Sequence, residues 1–294
     1  MLLHKYNDKK DGAIRPFDFR SFKTKMLYLV IGLVCIGIAV IMLFPVVWIF
    51  LGSFKEIKEL NSSTNLWPEK IDIQVLVESW NKMKFMKYYV NSIIVVVGSV
   101  ICSVFFNGLT AYGLAILKPK GYNIIYTLIL LCLMIPSTGS MVALYVNICR
   151  LGMNNSFLPL WLGGGAGAFY VVLFVNFFKE LPKDYLEAAR LDGAGNLRLF
   201  LNIVLPLSKP IAMVVVIFSI SAAWSDFLFP YLLLNNTGKE TVMVKLYLMQ
   251  GLNSTTNVTM LRAILFSIIP PTIFFLLFQK KITDGAAGAG GIKG

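Results

Sequence analysis

The chain has 294 residues, 57% of them hydrophobic and only 14% charged, with 27 Lys and Arg against 15 Asp and Glu and a formal net charge of +12. This composition excludes a soluble domain and describes a polytopic membrane protein, in which excess cationic charge reflects topology and anionic headgroups rather than nucleic acid. Cys35, Cys102, Cys132 and Cys149 lie in or beside apolar runs without the paired spacing of a zinc or redox site, and the single histidine, His4, has no second ligand nearby. Neither a metal site nor histidine-based catalysis is expected.

A charge at the bilayer centre is costly, and a helix needs about 20 apolar residues to cross. Charge-free runs between Lys25 and Lys55, Lys87 and Lys118, Lys120 and Arg150, and Arg150 and Lys179 predict helices over 27–51, 90–115, 123–147 and 157–178. A fifth, over 210–234, is interrupted only by Asp226. The sixth, over 258–279, carries Arg262 near its end, where a long side chain snorkels to the interface, and Pro270-Pro271, which predict a kink. The first run follows a basic tail but exceeds 20 residues and lacks a small-x-small cleavage site, so it is read as a retained helix.

The expected fold is therefore all-α with six transmembrane helices: a tail at 1–26, a six-span unit at 27–284 containing a central loop at 179–210, and a tail at 285–294. Seventeen Lys and Arg fall on the side of the two termini and the central loop, against ten on the other. That asymmetry predicts both termini and the central loop to be cytoplasmic.

The outer loop between the first two helices contains Leu66-Trp67-Pro68, Trp80 and Phe85 and leads into Tyr88-Tyr89-Val90-Asn91-Ser92, a composition suited to an amphipathic segment on the outer surface. In helices two to four, Asn107, Asn147 and Asn176 stand out, with Ser137, Thr138 and Ser140 beside Pro136. Such groups either bond to neighbouring helices or line a path. The run Gly163-Gly164-Gly165-Ala166-Gly167-Ala168 lacks the Gly-Lys-Ser/Thr end of a phosphate loop and suits close helix packing instead. The glycine-rich end, Gly285 to Gly294, fails the same test, so this chain is not expected to hydrolyse ATP or to be an enzyme.

The central loop carries the most specific pattern. Pro182 fits the first turn of a helix, Asp184 suits its positive end, and the helix is expected to run to about Asp192. Asp184, Glu187 and Arg190 form a charged stripe, while Tyr185, Ala188, Ala189 and Asp192 mark a narrow adjacent face. Gly193 permits a left-handed turn, Asn196 is expected to cap a second helix through Ile203, and Leu205-Pro206 to redirect the chain into helix five.

The register Glu187-Ala188-Ala189, Gly193, then Ile203, Leu205 and Pro206 resembles the EAA signature of the membrane subunits of bacterial ATP-binding-cassette importers. The resemblance implies that the first loop helix docks into a groove on an ATPase subunit. Glu187 would be its principal polar contact, Ala188 and Ala189 its close-packing surface, Arg190 part of the coupling set and Gly193 its pivot, with Ile203, Leu205 and Pro206 completing the hairpin. It further implies a second, related permease in a heterodimer, two ATPase subunits holding ATP and Mg, an extracytoplasmic solute-binding protein, and a multi-pass location in the bacterial inner or plasma membrane. No cofactor is implied on this chain.

In helix five, Ser219, Ala222, Ala223 and Asp226 share one face. Asp226 either belongs to a translocation path, with Trp224 able to stack on a sugar ring, or lies near the outer interface and pairs with a lysine or caps a neighbouring helix. Asn107, Asn176, Ser219, Trp224 and Asp226 are the pathway candidates. The Ser53-Phe54-Lys55 stretch, Leu66-Trp67-Pro68, the later Trp80 and the aromatic-Asn-Ser at 89, 91 and 92 resemble the carbohydrate-importer branch of the family. So does Trp224 to Pro230, with Ser225 in place of the usual asparagine. The end Gly285-x-x-Gly288 and Gly291-Ile292-Lys293-Gly294 is similar to permeases of the maltose-importer type. The similarity runs from Ser53 onward and implies a sugar or oligosaccharide substrate. Alternatives are a permease of the same family for a non-sugar or acidic solute, or an ATP-independent secondary transporter.

Overall fold

The computed structural model describes residues 22–62, 65–252 and 255–290. His4, most of the N-terminal tail and the Gly291-Ile292-Lys293-Gly294 end lie outside the described residues. Every regular element among those described is helical. Residues up to Ile71 and those from Asp72 onward form two compact units.

In the first unit, α1 (Phe22–Gly52) is a 31-residue helix with Pro45 inside it, and α2 (Ile57–Ser62) is a single short turn-and-a-half. Apolar residues cover every side of α1 beyond Lys25, the pattern of a helix that needs no watered face. The segment after it is closed by Lys55 Nζ donating to the Asn65 carbonyl and by the Glu69 N–H donating to Glu59 Oε1 at 2.9 Å.

The second unit begins with α3 (Ile73–Lys82), whose N-cap Asp72 accepts the Gln74 N–H at 2.8 Å. Next come α4 (Phe85–Tyr112), which continues as a π-helical turn over Gly113–Leu117, then α5 (Tyr122–Cys132) and α6 (Ser137–Arg150). These are followed by α7 (Leu158–Gly165) and α8 (Ala168–Lys179), α9 (Lys183–Leu191) and α10 (Asn196–Leu199). A second π turn over Phe200–Val204 leads into α11 (Leu205–Leu207). The chain ends with α12 (Lys209–Ser225), α13 (Leu228–Leu234), α14 (Val242–Gln250) and α15 (Asn257–Gly290).

Three of the six expected helices are divided. The one expected over 123–147 breaks after Cys132 and restarts at Ser137, because Pro136 cannot extend the ladder and biases Ile135 out of the helical region. That over 157–178 breaks at Ala166-Gly167, and that over 210–234 at Asp226-Phe227, where Asp226 is extended (ψ 127°). Four helices are long and apolar enough to cross a membrane: Lys25–Gly52, Phe85–Leu117, Leu158–Lys179 and Asn257–Gln279. A fifth is added if Asn196–Leu207 and Lys209–Ser225, bent by 82°, count as one. The 11-residue α5 is apolar but short.

Helix α4 is the hub, with α3, α7, α8, α12 and α14 packed around it. Near its N-terminus the core holds Phe85, Trp224, Val242 and Phe266; near its C-terminus, Tyr112, Phe174, Leu199, Phe200 and Val204. Within the 163–167 run, Gly164 and Gly165 serve contact with α4. A Cβ on Gly164 would stand 2.9 Å from the Ser99 carbonyl oxygen and one on Gly165 2.9 Å from the Phe106 ring. Reciprocally, a Cβ on Gly98 of α4 would sit 2.2 Å from the Trp161 indole. Because backbone cannot yield as a side-chain tip does, Gly164→Val is expected to destabilise the fold by about 1–3 kcal/mol, read as a lower unfolding temperature in detergent. Gly163→Val, with nothing near its Cβ position, is the control.

Candidate functional site

The central loop holds two helical arms, α9 and α10, joined across Gly193. Helix α9 follows Pro182, and carries Asp184 in its first turn and Arg190 in its last. Leu186 and Ala189 are buried at 7% and 8% exposure in the core at the α4 C-terminus. Glu187, Ala188 and Leu191 are exposed, Leu191 at 89%. Positions 184, 187, 188 and 191 share one face by helical spacing, so the outward surface is acidic, small and apolar in turn. Of the two alanines, Ala188 faces out and Ala189 packs into the core of its own chain.

Gly193 takes φ +79°, as its place after the helix requires. Its N–H donates to the Arg190 carbonyl and the Ala194 N–H to the Ala189 carbonyl, each at 3.0 Å. The pair forms a Schellman closure that satisfies two terminal carbonyls of α9. In the second arm the N-cap is Gly195, and Asn196, expected as the cap, is the first helical residue. Ile203 and Leu205 are half-buried and Pro206 exposed. The change of direction expected at Leu205-Pro206 falls instead at Ser208, where the chain turns 82° into α12. The wide π turn at 200–204 relieves the crowding that a proline ring otherwise creates with the preceding turn, so the arm continues through Pro206. Ser208 is fully buried and its Oγ donates to the Leu205 carbonyl at 2.9 Å.

The five pathway candidates are not gathered in one place. Asn107 is fully buried on α4. Its Nδ2 donates to the carbonyls of Ser103 at 2.8 Å and Gly164 at 3.0 Å, and its Oδ1 accepts the Gly167 N–H at 2.9 Å. It therefore bridges the break between α7 and α8, supplying partners to backbone groups that the interrupted ladder leaves without one. Ser219 joins the same network through Ser103 Oγ at 2.7 Å. Asn176 is exposed on α8. Asp226 ends α12, and its Oδ1 receives the Phe229 N–H of α13 at 3.4 Å.

Trp224 belongs to another construction. Pro270 and Pro271 have no N–H to donate, which frees the carbonyls of Phe266 and Ser267 in the preceding turn of α15. Those two carbonyls are taken by side chains from other helices: Tyr89 Oη of α4 donates to Phe266, and Trp224 Nε1 of α12 to Ser267 at 3.3 Å. Helix α15 runs unbroken through the two prolines. Around the staple, Trp80 contacts Tyr89 and Phe266 at centroid distances of 4.8 and 5.1 Å, and Tyr89 contacts Trp224 at 5.8 Å. Trp80 and Phe85, expected in a surface segment, thus pack inward, Phe85 completely. Arg262, expected to snorkel, also donates to Ser79 Oγ of α3 at 3.1 Å.

Beside the staple lies a half-open cavity of about 380 Å³ between α4, α12 and α15. Its walls include Ile93, Val96, Ile220, Trp224, Pro270, Pro271 and Phe274, with Ser221 and Ser225 as hydroxyl groups. Ser221 was not singled out in the sequence, and Ser225 only as a replacement for the usual asparagine, although 217, 220, 221, 224 and 225 have the spacing of one helical face. Asn91 and Ser92 prove to be anchors: Asn91 Nδ2 donates to the Glu240 carbonyl and Ser92 Oγ accepts the Val242 N–H, both at 2.9 Å. They fix the segment before α14 to the start of α4.

Apolar helices long enough to cross a membrane, packed around α4, with α9 seated by Leu186 and Ala189 in the core at the α4 C-terminus, define a polytopic membrane protein. Residues 104–285 match the family described as binding-protein-dependent transport system inner membrane component, and the chain belongs to that family. It is 30% identical over 259 residues to the diacetylchitobiose uptake system permease protein NgcG of Streptomyces coelicolor, covering 85% of this chain and 84% of that one. It is 29% identical over 266 residues to the arabinooligosaccharides transport system permease protein AraQ of Bacillus subtilis, covering 87% and 92%. With the trehalose/maltose transport system permease protein MalG of Thermococcus litoralis it shares 32% identity over 274 residues, 92% and 98% of the two chains. A crystal structure of a bacterial ABC transporter involved in import of the acidic polysaccharide alginate has the same fold, with a TM-score of 0.79 at 22% identity over 88% of this chain and 98% of that one.

Proposed function

We propose that this chain is a permease subunit of an ATP-driven, binding-protein-dependent importer of a sugar or oligosaccharide, forming half of the translocation pathway with a second, related permease. The observation that carries the proposal is the hairpin. Its first helix is locked by a Schellman closure, rooted by Leu186 and Ala189, and turned outward through Asp184, Glu187, Ala188 and Leu191. Such a surface fits a groove with basic residues on an ATPase subunit, where ATP and Mg would be held. The sugar assignment is supported by relatives named for diacetylchitobiose, arabinooligosaccharides and trehalose/maltose.

In this reading the chain crosses the inner membrane six times, α5 with α6 and α12 with α13 each making one interrupted span. The termini and the hairpin are cytoplasmic, as the Lys and Arg distribution favours. The solute-binding protein docks at the other end, where Lys239 Nζ joins the Asn155 carbonyl at 2.7 Å and Asn91 and Ser92 hold the 238–242 segment. Binding of ATP draws the two ATPase subunits together, carries the hairpins with them, and switches the path between inward and outward access. Helix α12, with Trp224 and the neighbouring cavity, contributes to the path lining, and Asn176 and Asp226 lie at further positions along it.

Purification in mild detergent from the native membrane tests the assignment: a nucleotide-binding chain and a second permease are expected to accompany this one. Its isolation without any ATPase would sink the reading in favour of an ATP-independent transporter. Screening ligands of the partner binding protein is expected to return a neutral sugar; an acidic or non-sugar ligand would keep the importer and overturn the substrate.

A further inference from the structure

Tyr112, the last residue of α4, is 2% exposed, and its hydroxyl has no hydrogen-bond partner among the described residues. Buried hydroxyls nearly always find a partner, because one stripped of water without replacement is destabilising. The surroundings suggest why this one is tolerated. Tyr112 directly precedes the π turn at Gly113–Leu117, and its ring lies against Phe200, the first residue of the other π turn, with centroids 5.4 Å apart. Turns of this kind are rare and concentrate at functional sites. A π turn carries a residue in excess of the α repeat, so its relaxation shifts one flank of a helix relative to the other without breaking it. Here two such turns meet at one tyrosine.

The coupling helix reaches the same place. Leu186 and Ala189 of α9 share the buried cluster with Tyr112, Leu114, Ala115 and Phe200. Arg190 follows Ala189 directly and lies one turn after Leu186, at the edge of the face that α9 turns toward this cluster. A guanidinium offers five donors and no acceptor, and a phenolic oxygen can accept one. The groups are thus complementary, and the Tyr112 hydroxyl accepts no bond from Arg190 in the arrangement described.

We propose that Tyr112 is a positioning residue of the transport cycle, whose hydroxyl accepts a hydrogen bond from Arg190 when α9 is displaced, tying the coupling helix to the hub helix in the second state. This rests on the coupling role proposed above for α9. The unmet bond biases the joint: the arrangement described leaves the hydroxyl without a partner, and the displaced one supplies it. Arg190 then serves within its own chain, in addition to any contact with an ATPase.

The test uses the complete importer, with its ATPase and binding protein, in proteoliposomes. Four variants are compared: Tyr112→Phe, Arg190→Gln, the double variant, and Glu187→Ala. The readout is ATPase activity with loaded binding protein divided by basal activity, alongside uptake and co-purification. Tyr112→Phe keeps the ring, so it is expected to assemble and to unfold no earlier than the wild type, while the coupling ratio falls roughly five- to tenfold. Arg190→Gln should move the ratio in the same direction, and the double variant should be no worse than the more severe single one. A wild-type ratio in Tyr112→Phe, additive losses in the double variant, or failure of Tyr112→Phe to assemble would each overturn the proposal. If Glu187→Ala is impaired and Tyr112→Phe is normal, only the tyrosine assignment falls; if both are normal, the coupling role of α9 falls with it.

Discussion

Glu187→Ala is expected to abolish most uptake while leaving the permease folded. Glu187 is exposed, and the neighbours that hold α9, Leu186 and Ala189, are untouched by the change. Under the coupling role proposed above, what is lost is one member of a charge pair that would form when the ATPase docks. Removing one partner of a desolvated interface pair costs about 2–5 kcal/mol, which corresponds to a loss of at least about 30-fold in ATPase affinity. Pull-down of the ATPase by the variant permease, together with uptake of labelled substrate, measures both consequences. Wild-type pull-down and uptake would exclude Glu187 from the interface. Gly193 supplies a companion experiment. Nothing lies near the site of an added Cβ there, so any penalty comes from φ +79° alone. Gly193→Val should therefore impair coupling strongly and Gly193→Asn much less, because asparagine tolerates the left-handed region. Equal defects would point to lost contact rather than to backbone geometry.

The second large effect concerns stability. Trp224→Ala is expected to destabilise the second unit by about 3–5 kcal/mol, the usual range for emptying an aromatic core position. Three losses coincide. The Ser267 carbonyl, already deprived of its helical partner by Pro271, loses Trp224 Nε1. Tyr89 loses an edge-to-face neighbour. The adjoining cavity grows from about 380 Å³ by most of an indole. Trp224→Phe separates these contributions, since it fills most of the volume without the N–H, and about 1 kcal/mol is expected for the bond. Thermal unfolding of the purified complex decides the matter. A Trp224→Ala variant as stable as the wild type but defective in uptake would show that the indole serves the path rather than the staple.

Much of the architecture was legible in one dimension. Runs with at most one charge located α1, α4, the α5–α6 and α7–α8 pairs, α12 and α15, because the cost of a buried charge is local and large. The same averaging hid the breaks at Pro136, Ala166-Gly167 and Asp226-Phe227, where one or two residues decide and where tertiary partners such as Asn107 make the break tolerable. Helix α14 escaped notice because it has only nine residues with Lys245 among them. In the hairpin, Pro182 and Gly193 could be read from backbone chemistry alone. The inward turn of Ala189 could not, since it depends on what α4 presents to it. For Asn107 the sequence left two roles open, and its hydrogen bonds supply the helix-to-helix one; Ser219, offered only as a pathway candidate, joins the same network. Tyr112 carried no signal at all: a tyrosine at the end of an apolar run is ordinary until its hydroxyl is found buried and unmet.

The 82° turn at Ser208 sets how a push on the hairpin is passed on. Residues 196–207 form one arm, about 18 Å long, and α12 forms the other, about 25 Å, at the usual rise per residue. Joined nearly at a right angle, they act as a bell crank. A sideways shift of about 3 Å at the tip of the short arm rotates the pair by about 10°, and swings the far end of α12 by about 4 Å at those lengths. The stroke arrives larger than it left and turned through a right angle, so in the proposed coupling a modest closure between two ATPase subunits would move the far end of α12, beside Trp224, by more than the push that started it.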